Sequence, residues 1–115
     1  MSRVPAAMWK RVKERDGAAY CCDASEELWV PQHRQGRGMG GCKTAHTYPN
    51  IIVFCSFCNG LAESNPAWAA HYRDMGWKVP RNSMDTPDMI PVTDRDRRRW
   101  WLLSDGTRVA VDGAA

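Results

Sequence analysis

Residues 32–63, QHRQGRGMGGCKTAHTYPNIIVFCSFCNGLAE, decide how the chain is organised. A histidine closes one apolar segment, and a loop rich in glycine and arginine follows. The run Ile51–Phe54 is continuously apolar with β-branched residues, which predicts a buried strand. Cys55-Ser56-Phe57-Cys58 comes next, and Asn59–Glu63 reads as the start of a helix. The GRGMGG segment predicts an irregular loop. Its Arg34, Arg37 and Lys43 are the candidate contacts for nucleic-acid phosphates.

Upstream, Pro5 to Arg15 has apolar residues Met8, Trp9 and Val12 at helical spacing, and Asp16-Gly17 ends the helix. Leu28-Trp29-Val30 reads as a short strand that Pro31 either ends or places at an edge. Downstream, Asn65-Pro66 is an N-cap followed by a first-turn proline, opening a second helical segment. Its apolar stripe is Trp68, Ala69, Tyr72 and Met75, with Gly76 as the cap. His71 reads as a surface or half-buried histidine without a functional role. The proline-rich stretch 80–91 predicts a linker wrapping the surface. Arg97-Arg98-Arg99 reads as a solvated entry to a hairpin over about 98–111, with Asp105-Gly106 as its tight turn.

The chain has 115 residues, 43% hydrophobic and 25% charged, with a formal net charge of +3. That bounds it to a single globular domain with a modest core, for which a metal staple would help. The core is expected over about residues 20–76. A mildly basic balance suits a nucleic-acid partner. No N-terminal signal-peptide pattern and no membrane-length apolar run is present, so a cytoplasmic protein without a membrane partner is expected. Five cysteines without a secretory signal read as thiols and metal ligands, not as disulfides.

Cys55-x-x-Cys58 alone fits a redox pair or half of a metal site. The upstream pair Cys21-Cys22 favours structural zinc. Adjacent residues in an extended strand face opposite ways, so both bind only if the segment turns sharply. Otherwise Cys42 or His46 supplies the fourth ligand.

These residues together carry a resemblance. Arg15-Asp16-Gly17, Cys22, Gln32-His33-Arg34, Gly40-Gly41, Asn50-Ile51-Ile52-Val53 and Cys55-x-x-Cys58-Asn59 have the order of the HNH endonuclease family with a zinc ribbon built in. The separation of Asn50 from Asn59 is that family's. The segments GWKVP and WWLLSDGTRV resemble the tails of small HNH-like proteins from actinobacteria and their phages. The resemblance covers about residues 8–111 and is strongest over 28–64.

The resemblance implies an α+β fold: an N-terminal helix, a zinc-stapled ββα core, a further helix and a C-terminal β-hairpin. It implies a divalent-metal-dependent DNA endonuclease or nickase. His33 would be the general base, Asn50 would orient it, and Gln32, Asn59 and Glu63 would hold Mg²⁺ or Mn²⁺. A histidine suits the base role because its pKa lies near neutrality. Two positions depart from the family pattern. Gln32 stands where a His or Asp ligand is usual, and Asn59 stands where the last His is usual. An uncharged amide is a poor partner for a hard cation. Gln32 therefore favours the alternative expectation, a catalytically impaired module that binds DNA or a host or phage protein.

Overall fold

The computed structural model describes residues 4–36 and 46–111. Helix α1 (Ala6–Asp16) is entered from Pro5, which stands at the N-cap. Gly17 closes it in the left-handed conformation (φ 72°), returning its N–H to the Lys13 carbonyl. Strand β1 (Trp29–His33) pairs antiparallel with β2 (Ile51–Cys55). It therefore runs through Pro31, beyond the predicted strand Leu28–Val30. A two-stranded sheet leaves one side of each strand unpaired, so a residue without an N–H is tolerated there.

The apolar run in β2 is buried on both faces. Ile51 and Val53 pack with Val12 and Ala19 on the α1 side. Ile52 and Phe54 join Tyr20, Tyr72, Trp77, Val92 and Leu102 on the other. Phe54 meets the edges of Tyr72 and Trp77, with ring centres 5.3 and 5.5 Å apart.

Helix α2 (Ser56–Ser64) starts directly after β2, three residues before the predicted Asn59. Cys55 explains the early start, because it is the N-cap and its sulfur accepts the Cys58 N–H. Asn65 then caps α3 (Pro66–Asp74) through bonds from Ala67 and Trp68 N–H, as its Asn-Pro signature predicts. Tyr72 is buried, whereas Trp68, assigned to the same stripe, is 46% exposed.

The hairpin is part of a larger unit. Strands β3 (Val92–Thr93), β4 (Arg99–Leu102) and β5 (Arg108–Ala110) form a three-stranded antiparallel sheet. The short β3 follows Pro91 and was not legible as a strand. The turn from Leu103 to Thr107 is wider than a two-residue Asp-Gly turn, and the Asp105 carboxylate accepts the Thr107 N–H. Among the described residues the architecture is thus α+β, with three α-helices and two small antiparallel sheets.

Two buried arginines tie these pieces together. Arg15 pairs with Asp16 at 2.7 Å and also donates to the carbonyls of Tyr48 and Ile51. Asp16 in turn accepts from Tyr20 Oη and from the Val53 N–H. Arg34, 0% exposed, donates to the carbonyls of Gly76, Pro49, Pro87 and Ile90. Two of these acceptors, Pro87 and Ile90, lie in the stretch expected to be a surface linker. Burial draws the Arg34 pKa down to about 10, still well above neutrality.

Lysine carries a compact ammonium with three donors and cannot reproduce this fork. Arg34→Lys is expected to lower stability by about 2–4 kcal/mol in urea denaturation, through orphaned buried carbonyls. An unchanged midpoint would contradict that role. Gly76 has φ 79°, and an added Cβ would lie 2.0 Å from the Pro91 carbonyl oxygen. Gly76→Ala should therefore cost well over the roughly 1 kcal/mol of an ordinary glycine substitution, read by the same denaturation.

Candidate metal centre and adjoining site

The segment after α1 bends at residues 20–22, so adjacent Cys21 and Cys22 turn their sulfurs the same way. Their Sγ atoms are 3.9 Å apart. With Cys55 and Cys58 they form a cluster whose sulfurs all lie within 4.8 Å of one another. Tetrahedral Zn–S bonds of about 2.3 Å set neighbouring sulfurs about 3.8 Å apart, so the donor set fits the ion. Four clustered cysteines can hold a metal such as zinc, without a contribution from His46. Cys42 lies outside the described residues.

The local hydrogen bonds suit thiolates. Cys55 N–H points at Cys21 Sγ (3.3 Å), and Cys58 N–H points at Cys55 Sγ (3.2 Å). Burial pushes the Cys21 thiol well above its ordinary range. Burial and the contact with Cys55 raise Cys58 to about 11. At Cys55 burial also acts upward, but bonds from Cys58, Cys22 and Cys21 outweigh it and the net direction is down. Crowded thiols hold one another's protons, and a divalent cation removes that repulsion by coordination.

The other end of the β1–β2 sheet carries the residues singled out for catalysis. His33 is the last residue of β1, half-buried, opposite Ile51. Gln32 faces the other way and is 3% exposed. Its Nε2 donates to the Trp77 carbonyl, and its Oε1 accepts from Asn59 Nδ2 at 2.7 Å. The fold thus brings Gln32 and Asn59 together through a bond to each other. Asn50 is buried and brackets Gln35, accepting its N–H at 2.7 Å and donating to its carbonyl at 3.1 Å. The Asn50 carbonyl also accepts the Arg34 N–H. These bonds pin the chain just after His33. Glu63 lies on α2, but its side chain is not among those described.

Arg34 corrects a prediction. The expected phosphate contact is not open to it, because its guanidinium is buried and its donors are directed at carbonyls. A charge in a short Gly/Arg-rich segment reads as solvated, and nothing local betrays that four distant carbonyls converge on it. Arg37 and Lys43 lie outside the described residues. The sequence offers His46 only as a spare zinc ligand. Its Nδ1 instead lies 3.4 Å from His33 Nε2. A histidine thirteen residues away gives no sequence signal of that pairing.

Purified protein should carry about one zinc per chain by elemental analysis, and Cys58→Ser should lose it together with a large part of the melting temperature. Cys42→Ser should keep both. Retained zinc in Cys58→Ser, or stability indifferent to a chelator, would refute the four-cysteine centre.

No protein-family model matches the chain, and neither a curated protein nor a solved structure shows significant similarity to it.

Proposed function

We propose that the chain is an HNH-type module that hydrolyses DNA phosphodiesters with a divalent cation. One observation carries this reading: His33 ends β1, Asn50 pins the chain leaving it, and Asn59 rises from α2 to meet Gln32. The sequence order His, Asn, Asn is thereby matched by one two-strand-and-helix unit. In this reading His33 takes a proton from water as the P–O bond breaks. Asn59 and Glu63 would hold Mg²⁺ or Mn²⁺, which stabilises the leaving oxygen. Gln32, held by Trp77, fixes Asn59 in place. Phosphate contacts would fall to Arg37, Lys43 and exposed cations such as Arg97 and Arg99. A thiolate-bound zinc is compatible with a reducing cytoplasm.

The Gln32–Asn59 bond favours a second reading, a nuclease-derived module that binds DNA or a protein without cutting. It engages the oxygen of the residue that would otherwise approach the ion.

A plasmid-nicking assay separates the two. Zinc-loaded protein is expected to nick supercoiled DNA in Mg²⁺ or Mn²⁺, and His33→Ala to lose about 10²–10⁴-fold in rate. Folded, zinc-loaded protein that binds DNA yet leaves it intact in both metals would establish the binding module instead.

A further inference from the structure

We infer that His33 and His46 form a second metal site, distinct from the cysteine cluster, that takes a borderline transition-metal ion such as Zn²⁺. The distances fit coordination better than a straight hydrogen bond. His33 Nε2 and His46 Nδ1 are 3.4 Å apart, and their ring centres are 5.2 Å apart with the planes tilted by 60°. Hydrogen bonds between nitrogen and its acceptor centre near about 2.9–3.0 Å, so this pair is long for one. A straight N–H···N bond of the observed length would also hold the ring centres farther apart, at about 5.7 Å.

Coordination accounts for both distances. Two imidazoles meeting a tetrahedral ion at about 2.0–2.1 Å place their nitrogens about 3.4 Å apart and their ring centres about 5.2 Å apart. One ion bound by both nitrogens would satisfy both distances.

Imidazole selects Zn²⁺, Cu²⁺ or Ni²⁺ over the hard cations, which prefer oxygen. Two protein ligands leave the remaining positions to solvent, so this site is weaker and more exchangeable than the thiolate cluster. Where His33 is the general base, as proposed above, an ion here removes the lone pair it needs. Transition-metal binding would then switch catalysis off, a consequence that rests on the nuclease reading. The binding itself does not.

The test uses the full chain with the cysteine cluster already zinc-loaded and free metal removed. Titration with Zn²⁺ should show a second event of about one equivalent by calorimetry. Imidazole ¹H–¹⁵N signals of His33 and His46 should move with it. His71, the third histidine of the chain, should stay unmoved and serves as the internal reference. His33→Ala and His46→Ala should each abolish the second event while retaining the first zinc; His71→Ala should preserve both. If His46→Ala disturbs the fold, His46→Gln gives the same reading with less loss of volume. Absence of a second event, or one that moves His71 instead, would overturn the site. In the activity arm, added Zn²⁺ should inhibit nicking by wild type. A protein that never nicks but shows the histidine shifts would refute the nuclease reading and leave the metal site standing.

Discussion

The guanidinium of Arg34 lies where the chain is held by hydrogen bonds more than by apolar packing. Taking that charge out of water costs several kcal/mol unless its donors are met. Here they are met by carbonyls from residues 49, 76, 87 and 90. Each acceptor belongs to a segment with little regular structure: the turn before β2, the end of α3, and the proline-rich stretch before β3. The arrangement constrains both sides. The loops cannot leave without exposing carbonyls and stranding a cation, and the arginine cannot leave without losing the loops. Gly76 belongs to the same constraint, since its left-handed backbone and missing side chain let the chain pass against Pro91.

The N-terminal half is held by a comparable device. Arg15 and Asp16 are almost completely buried, and between them they reach Tyr48, Ile51, Val53 and Tyr20. A metal held by the cysteine cluster would tie residues 21–22 to 55–58. A domain of this size buries a smaller fraction of its surface than larger ones do, and polar staples, with a metal at the cysteines, would make up the difference. In the sequence the Arg15-Asp16 pair marks a helix end and opens the motif series that carries the resemblance, and neither reading betrays its burial.

What could be read from sequence followed local rules. The helix stop at Gly17, the Asn65-Pro66 start and the apolar run of β2 each have a cause within a few residues. The four cysteines were legible as a group, although only the bend at residues 20–22 shows that all four converge. What could not be read was long-range. Arg34 looks like any loop arginine until residues up to fifty-six positions away arrive around it. Likewise β3 is two residues long and exists only because β4 offers it an edge. The His33–His46 contact spans a loop whose path the composition does not dictate.

The register of the small sheet links the two candidate centres. Trp29 faces Cys55 at one end and His33 faces Ile51 at the other, so the ribbon separates the cysteines from the histidines by about 13 Å. Helix α2 then couples them. Cys58 points to the cluster, while its neighbour Asn59 reaches across to Gln32 on β1. A metal bound by Cys55 and Cys58 would fix the first turn of α2, and with it the position of Asn59 relative to the strand that carries His33. Such an ion would therefore be a positioning element for the far site as well as a source of stability. It would act through a covalent neighbour, so no intervening network of side chains would be needed to transmit it.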